Sequence, residues 1–193
     1  KVTCSGSVPG EEVAMFLSNR RTHDALKQNR LYEMLSCDPD YMDAYGLELV
    51  AGRGFSEDYG DDVNKLVINE TAARTLGYTD YESVIGEEIS VETIEEPMQV
   101  IGVVKDYHQQ ALNRNYTPIM LFHKDKIDWI PQRYISIVMK PGDSLELVSQ
   151  ISEIWTTYFA DSSFDYFFLD QFYDRQYRQD EAFGVLMGGF TGL

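Results

Sequence analysis

The chain has 193 residues, with 16 Lys and Arg against 32 Asp and Glu, for a net charge of −16 at pH 7. Its 44% apolar and 25% charged content is that of a globular chain long enough for its own core, which excludes intrinsic disorder. So acidic a surface excludes nucleic acid as a partner, and a basic patch resting on an anionic leaflet, because both need Lys and Arg beside phosphate.

Residues 1–6 read as a strand and Val8-Pro9-Gly10 as a turn. Residues 11–28 carry mixed signals, a loop with a short strand or helix. Leu31–Cys37 is apolar enough for a strand. Asp38-Pro39 has the form of an N-cap with Pro at the first helical position, opening a short helix through Tyr45 that Gly46 ends. Gly52-Arg53-Gly54-Phe55 and Ser56-Glu57-Asp58 form a polar, Gly-rich bend. Lys65–Ile68 is a short strand. Asn69 then caps a helix over Glu70–Leu76, stopped by Gly77.

Residues 86–91 and 98–105 are β-rich and flank Glu95-Glu96-Pro97, which predicts a hairpin. Residues 106–116 are a polar connection. Pro118–Phe122 and Tyr134–Lys140 read as strands. Asp143 or Ser144 starts a helix to about Ala160, with Leu145, Val148, Ile151, Ile154 and Trp155 on one face. Phe164–Leu169 reads as a strand, followed by a helix with Leu169, Phe172, Tyr173 and Tyr177 on one stripe. The order predicts an α+β fold whose first and last parts share one layer, with the middle inserted as a second lobe.

Position 1 is Lys rather than Met and no leader is recognisable, so a piece of a longer chain is expected. Residues 182–193 carry no charge but fall short of the about 20 residues that cross a membrane. They are either the first half of a span or a Gly-rich tail. Gly184, Gly188 and Gly192 have the small-xxx-small spacing of membrane helix contacts. Cys4 and Cys37 could pair in an oxidising compartment or remain thiols.

Motifs for catalysis are missing from the sequence. His23, His108 and His123 have no partner at HxxxH or HExxH spacing, and His108 is read as a polar-loop residue. GxSxG and GxxxxGK[ST] do not occur, so no P-loop binds ATP here. Gly52-Arg53-Gly54 precedes no helix that could cradle phosphate. Glu57-Asp58, Asp61-Asp62, Glu87-Glu88 and Glu95-Glu96 read as solvated surface. No residue is therefore assigned a catalytic, cofactor-binding or metal role.

Several segments taken together resemble the extracytoplasmic domain of MacB/FtsX-type ABC transporter permeases, particularly those of Bacteroidetes-like bacteria. They are Ser7-Val8-Pro9-Gly10; Asp40-Tyr41 before the run Tyr45-Gly46 to Gly52-Arg53-Gly54-Phe55; Val67-Ile68-Asn69-Glu70; Ile85-Gly86-Glu87; Val100 through Gly102 to Lys105-Asp106-Tyr107-His108; Pro118; and Phe167-Phe168-Leu169-Asp170. The resemblance spans almost the whole chain. It implies a porter-like βαβ subdomain from residues 1–55 and 117–181, ending in a stalk helix. It also implies a small, mostly β, sabre-like insert over 56–116, and a truncated membrane helix beginning at 182–193. It further implies a permease in the cell inner membrane with this domain facing the periplasm. ATP and its cofactor chemistry would belong to a separate ATPase subunit, reached through membrane helices. A second permease copy and an adaptor or outer-membrane partner are implied too.

The function so implied is coupling of cytoplasmic ATP hydrolysis to export or extraction of a peptide, drug or lipoprotein, with no enzymatic step in this domain. The motif residues then have structural roles. Pro9, Gly10 and Gly52 shape bends, Gly46 stops a helix, and Asn69 caps one. Arg53 pairs with an acid or a carbonyl. Phe55, Glu70, Gly86, Gly102, Asp106, Pro118 and Asp170 complete the set. The alternatives are a cell-surface binding or sensing module with an aromatic face, and a hydrolase with facing carboxylates.

Overall fold

Near-continuous apolar runs make strands that bury both faces, as in Met98–Val104 and Ile119–His123. In the computed structural model, residues 1–13, 15–23, 28–60, 62–110, 114–127, 129–140, 142 and 144–174 are described. They fall into two units, Lys1–Ile137 and Val138–Leu193. The first unit runs β1 (Val2–Ser5), β2 (Phe16–Arg21), β3 (Arg30–Cys37), α1 (Tyr41–Ala44), β4 (Leu49–Gly52), β5 (Lys65–Asn69), α2 (Glu70–Thr75), β6 (Glu88–Val91), β7 (Met98–Val104), β8 (Ile119–His123) and β9 (Tyr134–Ile137). The mixed α+β class is as expected.

The strand order is β2-β6-β7-β5-β8-β3-β1-β9, with β4 added beside β7. β2 also pairs with β3, so six strands close into a ring. The pairs β3–β8 and β5–β7 are parallel, and the others are antiparallel. Closure gives every strand of the ring a neighbour on both sides, while β4 and β9 each pair with one strand among the described residues.

Alternation assigns the two faces. Tyr32 and Met34, Leu66 and Ile68, Ile89 and Val91, Met98 and Val100, and Met120 and Phe122 form one cluster. The residues between them, Leu35, Cys37, Val67, Ile101, Ile119 and Leu121, form a second cluster with Tyr41 and Met42 of α1 and with Phe55. A bulge between Leu66 and Val67 re-registers β5 against β7.

Residues 56–116 supply β5, β6 and β7 to the same sheet as β3 and β8. Sequence order hides this, because β5 finds its neighbours β7 and β8 only after two connections. β6 and β7 do pair antiparallel, as the hairpin pattern predicts. Several expectations need correction. The N-cap of α1 is Asp40, not Asp38. The Asp38 carboxylate instead accepts from the Thr3 hydroxyl at 2.5 Å and the Cys4 N–H at 2.7 Å, tying β1 to the end of β3. β4 runs into Gly52, read as the start of a bend, and β9 stops at Ile137 rather than 140.

Cys4 and Cys37 are free thiols. Ser5, not Cys4, lies opposite Cys37 in the ladder, while Cys4 lies opposite Ile135. Successive strand residues point to opposite faces, so the two sulfurs are directed apart.

The second unit contains α3 (Ser144–Tyr158). Of its expected apolar face, Val148, Ile151 and Trp155 are half-buried, and Leu145 and Ile154 are exposed. Residues 163–168 are irregular rather than a strand, and helix resumes at Leu169. Phe164 stacks on Tyr166 within this segment, 5.5 Å between centroids, and Trp155 at the end of α3 lies tilted against Phe159 at 4.6 Å. The expected stalk beyond Asp174 and the apolar segment 182–193 lie outside the described residues. Among the described residues, no helix is long and apolar enough to cross a membrane.

Candidate functional site

The motif residues of the first unit gather into three clamps that hold loops to the sheet. The first joins β4 to β7. Gly52 has φ +64°, and a Cβ there would sit 2.2 Å from the Ile101 carbonyl oxygen. Arg53 follows, and its guanidinium donates to the two Asp62 carboxylate oxygens at 2.6 and 2.8 Å and to the Gly54 carbonyl at 2.9 Å. It also lies 4.4 Å from the Tyr59 ring centroid. Asp62 accepts the Ser56 N–H at 2.9 Å as well, closing the loop after β4. The bidentate geometry suits a guanidinium and not an ammonium. The Arg53 hydrogen bonds hold the Asp62 carboxyl below its usual range, against an opposing effect of burial. Asp62, read as solvated surface, is buried; its partner lies nine positions earlier in sequence, and no local pattern links them. Phe55 is buried and meets His123 edge-on at 5.7 Å.

The second clamp sits at the C-terminal ends of β5 and β7. Asn69 is fully buried. Its Oδ1 accepts the Ala72 N–H and the Ile119 N–H, each at 2.9 Å, and its Nδ2 donates to the Thr117 carbonyl at 2.8 Å. One side chain thus caps α2 and fixes the start of β8. Glu70 accepts the Asp106 N–H at 2.9 Å. Asp106 returns across the gap, accepting from the Thr71 N–H and hydroxyl, both at 2.8 Å, and from Arg74 at 2.5 Å. Arg74 carried no signal in the sequence. Pro118 presents its carbonyl to the Glu33 N–H at 2.9 Å.

The third clamp holds the first turn. Pro9 and Gly10 are buried, and the Gly10 N–H donates to the His108 carbonyl at 3.1 Å. Gln109 is also buried. Its Nε2 donates to the Val8 carbonyl at 2.8 Å and the Glu11 carbonyl at 3.0 Å. Next to it, Gln110 donates to Glu33 at 2.5 Å. Burial raises the Glu33 carboxyl, and the Thr117 and Gln110 hydrogen bonds partly oppose this.

The remaining motif positions stand apart. Gly46 and Gly86 have φ of +65° and +91° with space around them. Gly102 is the other half of the β4–β7 approach. Asp170 lies in the second unit, where its carboxylate accepts the Gln171 N–H at 2.8 Å. His108 packs on the Tyr116 ring, 4.7 Å between centroids. Among the described residues, no three His, Cys, Asp or Glu are placed to hold a metal. The ionic groups of the clamps are engaged in restraining loops.

A family model described as the MacB-like periplasmic core domain matches residues 3–153. The chain belongs to that family. Two solved structures share the fold of this MacB-like domain. The periplasmic region of MacB from Actinobacillus actinomycetemcomitans aligns with TM-score 0.56 and 18% identity, over 82% of this chain and 66% of that one. The extracellular domain of the ABC-type transporter YknZ from Gram-positive bacteria aligns with TM-score 0.59 and 16% identity, over 84% and 77%. No curated protein matches in sequence. The MacB-like family therefore rests on the family model, and the two structures speak for the fold.

Proposed function

We propose that this MacB-like domain is the periplasm-facing part of an ABC transporter permease in the inner membrane, and that it moves as a stiff body. ATP bound and hydrolysed by a separate ATPase subunit would shift membrane helices. The domain would turn that shift into displacement of a peptide, drug or lipoprotein outside the membrane. A second permease copy would complete the transporter, with an adaptor or outer-membrane protein as a further partner.

The observation that carries the proposal is the closed six-strand ring with its loops tied back by Arg53–Asp62, Asn69 and Asp106. A closed, close-packed sheet deforms little, so displacement at its attachment passes through it rather than being absorbed. The role needs no reacting side chain.

The test uses the full-length permease with its ATPase in lipid nanodiscs. Spin labels at exposed Ser83 and Glu95 report distances within one copy, and the label at Glu95 also reports distances between two copies. ATP is expected to change the distance between copies while the distance within a copy stays constant. An unchanged distance between copies, or a domain that deforms internally on ATP binding, overturns the proposal.

A further inference from the structure

Asp40 and α1, the segment Leu47–Leu49, and the turn Phe55–Asp58 surround an open groove of about 580 Å³. Its floor is apolar: Met42 and Phe55 are buried beneath it, and Leu49 is 42% exposed. Its rim is acidic, with Asp40 and Asp43 from the α1 side and Glu57 and Asp58 from the turn. The chain itself shows that the rim attracts a cation, because the Lys1 ammonium is seated on Asp43. Among the described residues, Asp40, Glu57 and Asp58 make no ion pair.

We infer that this groove is a docking site for a basic, apolar-centred segment of a partner polypeptide. An apolar side chain of that segment covers Leu49 and the floor, and Lys or Arg residues on either side reach the two carboxylate pairs. Three features select this occupant. Among the described residues no three carboxylates converge on one point, so the rim is not a metal cage. The carboxylates come from two separate stretches, which suits several spaced cations on one chain and not a single small one. A second copy of this chain is disfavoured, because each copy carries a net charge of −16. The volume lies within the range that encloses a few side chains. Binding here is independent of the transport proposal, since peptide affinity and ATP-linked motion are separate measurements.

The experiment measures fluorescence anisotropy of a short labelled peptide alternating Arg and Phe against the 193-residue chain. Binding is expected to weaken with added salt. Exposed ion pairs contribute a factor of up to about five each. The combined variant Asp40→Asn, Asp43→Asn, Glu57→Gln, Asp58→Asn should therefore bind about tenfold or more weakly. Leu49→Ser, which leaves every charge in place, should weaken binding about threefold or more, in line with loss of a partly exposed apolar contact. The pair Glu95→Gln, Glu96→Gln removes charge elsewhere and should bind like wild type. Wild-type affinity in the four-site variant overturns the inference. So does equal weakening by the Glu95 and Glu96 changes, or equal affinity for a peptide with Phe replaced by Ala.

Discussion

Gly52 on β4 and Gly102 on β7 face each other so closely that neither strand leaves room for a side chain. A Cβ on Gly52 would lie 2.2 Å from the Ile101 carbonyl oxygen, and one on Gly102 would lie 2.1 Å from the Arg53 carbonyl oxygen. Both obstacles are backbone atoms and cannot rotate away. The hydrogen bond from the Arg53 N–H to the Ile101 carbonyl, 2.9 Å, holds the approach.

Gly102→Ala should therefore cost about 2–3 kcal/mol, the scale of an overpacked site. Gly46→Ala tests backbone freedom alone. Its φ is +65° with open space around it, and it should cost only about 1 kcal/mol. Urea unfolding of both variants checks the ordering. Equal losses would mean that the close approach relaxes.

Asp62→Asn removes the charge that Arg53 holds in bidentate contact. The expected loss is about 1–3 kcal/mol at pH 7, below that of a fully buried pair because the Arg53 side chain is 33% exposed. The Asp62 pKa is lowered in the folded state, so the folded chain binds this proton more weakly than the unfolded one. Its contribution is present above the ordinary carboxylate value of 3.8 and fades as pH falls through the lowered one. The wild-type advantage over Asp62→Asn should shrink steadily in denaturant titrations taken below about pH 4.

Glu33 titrates with the opposite sign. It is 1% exposed, and burial raises its pKa above 4.5, so the folded chain holds this proton more tightly. That stabilisation is complete below the unfolded value and is lost as pH rises through the folded one. Glu33→Gln keeps an acceptor for Gln110 and carries no charge. It should melt above wild type at pH 7, with the gap closing toward pH 4. Equal melting temperatures at both pH values would show that this carboxyl is solvated.

Asn69→Ala should be the most damaging of these changes, at about 3 kcal/mol or more. It removes a helix cap and leaves the buried Ile119 N–H and Thr117 carbonyl unmatched. Asn69→Asp keeps the two accepted bonds but turns the donor to Thr117 into an acceptor, so it should recover only part of the loss. Thermal melts of both variants decide the point.

The thiols give a further check. Cys37 is fully buried, Cys4 is partly exposed, and burial raises both pKa values. A thiol reagent at pH 8 should modify Cys4 slowly and spare Cys37 until the chain is unfolded in denaturant. Failure to find two free thiols after unfolding without reductant would point to a disulfide.

What was legible in the sequence was local. Val67-Ile68-Asn69-Glu70 announced a strand, a cap and a helix, because a cap needs only residues within one turn. Glycines marked the bends for the same reason, since a positive φ is a property of one residue. The β-rich run 98–105 marked a strand, but the polar connection after it gave no sign of what Asp106 would hold.

Tertiary structure alone decided what those pieces meet. The closure of β2 on β3 joins strands through pairings that no periodicity encodes. Asp62 looked like one acid among many until the bend brought it to Arg53. Asp38 had the local form of a cap, yet the Thr3 hydroxyl and the Cys4 N–H claimed its carboxylate. Short-range sterics and caps are written in neighbouring residues. A buried ion pair, a ring closure or a glycine contact depends on which distant backbone arrives opposite, and packing settles that only once the chain has folded.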